Sequence, residues 1–259
     1  MTDILRKHEL GSVTLGTESG PLGILIPPGL DRFPVNTYCF NSCIEKKFDY
    51  VTFAMAAPQT HSAGTQIWTK IVRNKTDLGY LHKNQFFDHK YQYFYEINPR
   101  VVITENDSLI TQCIYSTKNH KKIIQGGSGP DNEVCLYSYF YYPRVKNFKT
   151  CKSIPAFDDQ LKVFKNLKKE SILNFNSSIN DSDVALLYEA YNSLEQVQTF
   201  SDNFIQSFFS IYLSSKFYAM CDGSFNYEPH ERVTINSFSQ KLDPCDWKIN
   251  QKKNLVYKL

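Results

Sequence analysis

Gln66-Ile67-Trp68-Thr69-Lys70-Ile71-Val72-Arg73 sets the fold class of this 259-residue chain. Gln66, Trp68, Lys70 and Val72 fall on one side of an extended strand and Ile67, Thr69, Ile71 and Arg73 on the other. That two-residue period gives one face to a core and the other to a second layer or to water. Further runs rich in β-branched and aromatic residues lie on either side: Leu22–Ile26, Asp49–Ala57, Gln92–Glu96, Ser108–Tyr115 and Cys135–Tyr142. They are separated by Pro27-Pro28-Gly29, Asn74-Lys75-Thr76-Asp77 and Gly126-Gly127-Ser128-Gly129-Pro130, clusters expected to supply the positive or fixed φ that chain reversals need. Residues 20–150 therefore read as the strands of a sandwich or barrel.

The period changes from about residue 158. Leu161, Phe164 and Leu167 mark an amphipathic helix with Lys162, Lys165, Lys168 and Lys169 on its wet side. Asp181-Ser182-Asp183 offers an N-cap to a second helix with the apolar stripe Val184, Leu187, Tyr191, Leu194 and Val197. Ser201-Asp202 caps a third, whose Ile205, Phe208, Phe209, Tyr212 and Leu213 call for burial against the sheet or a partner. Strands return at about 221–240, with Glu231–Phe238 the clearest, and a basic tail covers 248–259. With no repeat and no Gly/Ser linker, 1–259 reads as one mainly β domain with a helical insertion at about 158–217.

Composition excludes several classes. At 42% hydrophobic residues the chain can bury a substantial core, and 29 Lys+Arg against 26 Asp+Glu do not build the basic face that nucleic acid requires. No run approaches 18 apolar residues, so no membrane span is expected. Met1–Gly11 lacks the apolar stretch of a secretory signal, and the initial methionine reads as an uncut end. Seven cysteines, at 39, 43, 113, 135, 151, 221 and 245, are too scattered for a zinc ribbon. Disulfides between distant strands and buried free thiols both fit that scatter.

Several segments, read in order, resemble one family. They are Glu9-Leu10-Gly11, Ile26-Pro27-Pro28, Tyr38-Cys39-Phe40-Asn41-Ser42-Cys43, Thr60-His61-Ser62-Ala63-Gly64, Asp107-Ser108-Leu109-Ile110-Thr111-Gln112-Cys113 and Gly126–Cys135 followed by Tyr141-Tyr142-Pro143. Together they are similar to the C-terminal half of the copper type II, ascorbate-dependent monooxygenases, the family of dopamine beta-monooxygenase and peptidylglycine alpha-hydroxylating monooxygenase. The resemblance implies a jelly-roll-type antiparallel β-sandwich with disulfides Cys39–Cys151, Cys43–Cys221 and Cys113–Cys135. Cys245 is left over.

It also implies a copper site held by two histidines one residue apart on a strand and a methionine on a neighbouring strand, since residues i and i+2 project together. Here the first histidine position is Gln59, the second is His61, and the methionine position, just before Cys135, is Val134. A carboxamide is a poor ligand for Cu(I) and an isopropyl group is none. The expectation is a degenerate copper site with no bound metal, no cofactor and no catalytic residue. Met55 is expected in the core, and His82, His89 and His120 at turns. The family's preceding copper domain has no counterpart in this sequence.

No nucleophile elbow, P-loop or dinucleotide fingerprint stands in a strand–turn–helix context. Acidic neighbours in Asp243-Pro244-Cys245-Asp246 disfavour a thiolate nucleophile, and Asp158-Asp159 reads as a helix start. Sequons begin at Asn74, Asn106, Asn176 and Asn180, though an Asn-, Ser- and Thr-rich chain produces such triplets by accident. The resulting reading is a pseudoenzyme serving as an accessory subunit of a larger assembly, with other protein subunits docking on Phe86-Phe87, Tyr91–Tyr95 and Tyr137–Tyr142. Disulfide-ready cysteines without a leader place it in the mitochondrial intermembrane space or another oxidising compartment, with secretion the alternative. An active copper monooxygenase with altered ligands, and a module binding a small ligand in the emptied pocket, are the competing readings.

Overall fold

A computed structural model describes residues 7–170, 183–197, 200–235 and 237–238. Eleven strands precede the helices: β1 (Gly11–Gly16), β2 (Leu25–Ile26), β3 (Phe33–Cys39), β4 (Tyr50–Gln59), β5 (Gly64–Arg73), β6 (Thr76–Asn84), β7 (Tyr95–Thr104), β8 (Asp107–Tyr115), β9 (Ile124–Gln125), β10 (Leu136–Tyr142) and β11 (Thr150–Pro155). Helices α1 (Phe157–Lys169), α2 (Asp183–Leu194) and α3 (Asp202–Leu213) follow, then β12 (Phe217–Cys221), β13 (Ser224–His230) and β14 (Ser237–Phe238).

The larger sheet runs β13-β12-β11-β1-β10-β4-β7 and the smaller β14-β6-β5-β8-β3, with β2 and β9 as a separate pair. The arrangement is that of a β-sandwich. Val13, Leu15, Phe53, Tyr137, Tyr139 and Tyr141 from the larger sheet and Val35, Ile67, Ile71 and Leu109 from the smaller are all buried in one core. Among the described strands, pairing is antiparallel except between β1 and β11 and between β14 and β6. The first arises because β10 and β11 lie on opposite sides of β1, so the link between them must cross its end. There Arg144 donates its N–H to the Glu9 carbonyl, and Thr14 donates to Lys149.

β5 buries Ile67, Thr69 and Ile71 as its alternation requires, and Val72 on the other face is buried as well; the bulges of this hairpin fall on β6, where Leu78 and Leu81 are the extra residues. Lys70, on the opposite face, is also buried. Its Nζ pairs with Asp77 Oδ2 at 2.7 Å across the β5–β6 hairpin, near the rings of Trp68 and Tyr80.

Other expectations need correction. The strand placed at Gln92–Glu96 is β7, at Tyr95–Thr104; it runs through Pro99, which an edge strand tolerates because half of its backbone groups have no ladder partner. Leu22–Ile26 shrinks to β2. Residues 231–235 form no strand; the returning chain is β12 and β13, and among the described residues of Glu231–Phe238 it is Ser237–Phe238 that pairs, with β6. The glycines of Gly126–Gly129 adopt no positive φ. The run is needed for close approach instead: a Cβ on Gly127 would sit 2.7 Å from Cγ of Asn132. Cys245, Asn176, Asn180, Asp181, Ser182 and the tail at 248–259 lie outside the described residues.

The helices bury the faces their spacing marks. α1 buries Phe157, Leu161, Phe164 and Leu167, with Asp158 and Asp159 in its first turn and Lys168 and Lys169 in its last, as the helix macrodipole favours. Ser201 caps α3 by accepting from the Phe204 N–H at 3.2 Å. α3 lies along β3, the edge of the smaller sheet, with Phe209 and Tyr212 against Phe33. Polar groups fix the docking. The Tyr212 hydroxyl accepts from the Leu25 N–H at 2.7 Å and donates to the Gly23 carbonyl at 3.2 Å. Buried Gln160 donates to the Leu22 and Pro155 carbonyls and accepts from the Tyr191 hydroxyl, joining α1, α2 and the β1–β2 loop.

Three disulfides join these parts: Cys39–Cys151, Cys43–Cys221 and Cys113–Cys135. The first ties β3 to β11, one strand in each sheet.

Candidate functional site

β4 and β10 run side by side with Gln59 opposite Leu136. Antiparallel pairing carries the chain after Gln59 toward the residues before Leu136, and the two segments meet there. His61 donates its N–H to Glu133 Oε2 at 2.7 Å, and Ala63 donates to Oε1 at 2.6 Å. The His61 Nδ1 lies 2.7 Å from the Asn132 carbonyl. A carbonyl only accepts, so Nδ1 carries the proton and the lone pair of the neutral ring is on Nε2.

Glu133 organises this turn. It is 1% exposed, and burial raises its pKa above the usual carboxylate value, opposed by the N–H donors of Ala63 and His61. The resemblance includes Glu133 in its Gly126–Cys135 match but gives it no role, since its partners, His61 and Ala63, are distant in sequence. The turn is packed closely from behind: a Cβ on Gly64 would fall 1.8 Å from Thr60 Oγ1. Cys113–Cys135 holds the adjoining residue against β8, and the Tyr115 hydroxyl donates to the Val134 carbonyl at 2.7 Å.

The strand geometry expected of the pair at 59 and 61 differs. β4 ends at Gln59, and His61 lies in the following turn, because Glu133 draws the backbone there away from the ladder. Gln59 is exposed and Val134 is buried. All three residues thus gather at one end of the β4–β10 pair. The donor set does not suit copper: it offers one imidazole, a carboxamide and a hydrocarbon, and Cys113 and Cys135 are spent in a disulfide. Among the described residues, no three His, Cys, Asp or Glu side chains converge as metal ligands.

Met55 is half-buried and pairs with Phe140, instead of entering the core. His82 is no turn residue. It sits within β6, its Nδ1 hydrogen-bonded to the Tyr137 hydroxyl, and burial lowers its pKa. His89 lies in a short 3-10 turn and His120 in an exposed loop.

That 3-10 turn belongs to the loop between β6 and β7, which packs beside the site. Gln92 Nε2 donates to the Thr60 carbonyl at 3.2 Å, and Phe87, itself buried, donates its N–H to Thr65. The same loop turns outward Phe86, 93% exposed, with Tyr91, Tyr93 and Phe94. The third aromatic run behaves differently: Tyr137, Tyr139 and Tyr141 point into the core, while Phe140 and Tyr142 are half-buried on the outer face.

Residues 9–162 match the family model described as copper type II ascorbate-dependent monooxygenase, C-terminal domain. The chain belongs to that family. Among curated relatives of this monooxygenase domain, DBH-like monooxygenase protein 1 of Gallus gallus is 32% identical over 166 residues, 62% of this chain and 26% of the relative. Tyramine beta-hydroxylase of Caenorhabditis briggsae is 25% identical over 59% of this chain and 26% of its own length. Dopamine beta-hydroxylase of Canis lupus familiaris is 28% identical, over 58% and 24%. This chain spans about a quarter of the length of the curated relatives it matches. No helix among the described residues is long and apolar enough to cross a membrane.

Proposed function

We propose that this chain is a non-catalytic accessory subunit of a larger protein assembly, a monooxygenase domain kept for its shape without its metal. The observation that carries the reading is the donor set at the His61 turn. On the family resemblance, Gln59 and Val134 occupy the positions of the first histidine and the methionine, and neither replaces the soft or imidazole donor that Cu(I) selects. His61 keeps the orientation of a ligating histidine, with Nδ1 committed to a backbone carbonyl, but has no co-ligand.

Partner subunits would dock on the loop that carries Phe86, Tyr91, Tyr93 and Phe94. Exposed aromatics of this kind combine apolar area with polar tips, the composition of interface centres. The three disulfides call for an oxidising compartment. The mitochondrial intermembrane space gains no support beyond those bridges, which secreted proteins share, and we favour the secretory route.

The test is copper retention. The purified chain and the variant Gln59→His/Val134→Met are loaded with Cu(I), exchanged against excess glutathione, desalted and analysed for metal. The unaltered chain is expected to lose its copper, and the double variant to retain about one ion per molecule, with three donors in place of one. Stoichiometric copper on the unaltered chain would overturn the reading.

A further inference from the structure

We propose that Asn74 is an N-glycosylation acceptor, the oligosaccharide capping the end of the smaller sheet farthest from the His61 turn. Asn74-Lys75-Thr76 is an acceptor triplet with no proline at its centre. Its place in the fold separates it from accidental matches. Asn74 and Lys75 are both exposed and form the two-residue turn between β5 and β6, each with positive φ, 49° and 64°. Such a turn is a type I′-like reversal at the tip of a hairpin, and asparagine tolerates its left-handed backbone. A large substituent on the Asn74 carboxamide there displaces no core side chain.

The neighbouring triplet at Asn106 is placed less favourably. Arg73 and Asp107 are register partners on β5 and β8, so the two hairpin tips adjoin. Asp107 is buried, gripped by both Nε and Nη2 of Arg73 and by the Thr104 N–H. Ser108 Oγ accepts from the Asn41 N–H. Asn74 is also translated first, so its triplet reaches the transferase before the one at Asn106.

The inference rests on the oxidising-compartment reading, taken in its secretory form. There a lipid-diphosphate-linked oligosaccharide is the donor. The Asn74 amide nitrogen attacks C1 of its first sugar, the N–C1 bond forms as the C1–O bond breaks, one amide proton is lost, and the lipid diphosphate leaves without any change in oxidation state. At about 3.3 Å per residue, the length of β6 puts this end roughly 25–30 Å from the aromatic loop. A glycan at Asn74 therefore leaves that loop open to a partner.

The experiment secretes the full chain from a eukaryotic host behind a cleavable leader and maps peptides by mass spectrometry, with and without peptide N-glycosidase F. The expected result is a glycan on the Asn74 peptide, converted to Asp by the enzyme. It should be lost in Asn74→Asp, which keeps a residue tolerant of positive φ, and in Thr76→Val, with secretion and all three disulfides intact. Secreted, fully bridged protein with a bare Asn74 overturns the proposal whatever Asn106 carries. In protein from its native cells, bridged cysteines with Asn74 bare overturn the modification and leave the compartment standing. Free thiols there overturn the compartment itself.

Discussion

Replacing Cys113 and Cys135 together by alanine should destabilise the protein by about 3 kcal/mol, the chain-entropy value for a crosslink between residues 22 apart. The same change at Cys39 and Cys151, 112 residues apart, should cost about 5 kcal/mol. The short bridge also has a local effect that the long one lacks. Cys135 is two residues from Glu133, whose carboxylate holds the N–H groups of His61 and Ala63. Freeing Cys135 from β8 lets that segment move, so these two amides should exchange with solvent faster in Cys113→Ala/Cys135→Ala, and no faster in Cys39→Ala/Cys151→Ala than global unfolding allows. Urea unfolding without reductant gives the stability order, and hydrogen exchange read by mass spectrometry gives the local effect. The reasoning fails if the short-loop variant is the less stable of the two, or if His61 and Ala63 stay as protected as before.

Further outcomes follow from three sets of buried polar groups. Glu133→Ala leaves the buried Ala63 N–H and the part-buried His61 N–H without this acceptor and should cost about 2–5 kcal/mol by denaturant unfolding, with Glu133→Gln costing less. Because burial raises the Glu133 pKa, its favourable contribution is fully present below the unfolded value and is lost as pH rises through the folded one. The stability of the unaltered chain relative to Glu133→Gln should therefore fall as pH is raised across that window. Lys70→Met removes the counterion of Asp77, which still accepts from the Gly79 N–H, and should lower stability by about 3–5 kcal/mol, recovered only in part in Lys70→Met/Asp77→Leu because that N–H then loses its acceptor, as thermal melts would show. Tyr212→Phe leaves the buried Leu25 N–H unpartnered. A loss of about 1–3 kcal/mol is expected, with faster proteolysis in α3.

The amphipathic elements were legible because each declares its buried face locally: Ile67, Thr69 and Ile71 on β5, and Leu161, Phe164 and Leu167 on α1. β7 was hidden by Asn98-Pro99, a strand break anywhere except at a sheet edge, and edge position is decided by partners distant in sequence. Nothing local marked Lys70 for burial, because its counterion, Asp77, becomes its neighbour only when the hairpin closes. Tyr137–Tyr142 looked like a surface patch when counted by composition, yet the two-residue period that placed β5 also sends Tyr137, Tyr139 and Tyr141 inward. At the candidate site, the residue types at 59, 61 and 134 were plain from the resemblance. The bend that takes His61 out of β4 was not, since it depends on a buried carboxylate reaching in from residue 133.

The family match stops at residue 162, within α1, but the sheet does not. β12 adds to the edge of β11, β13 adds to β12, and Cys221 on β12 bonds back to Cys43. A chain shortened at residue 162 would present the raw border of β11 to solvent, strip α3 from Phe33 and release the Cys43 thiol, inviting strand-swapped or disulfide-crosslinked multimers. For anyone trimming this protein for expression, the usable boundary is set by the last strand that completes the sheet, well downstream of residue 162, where the family match stops.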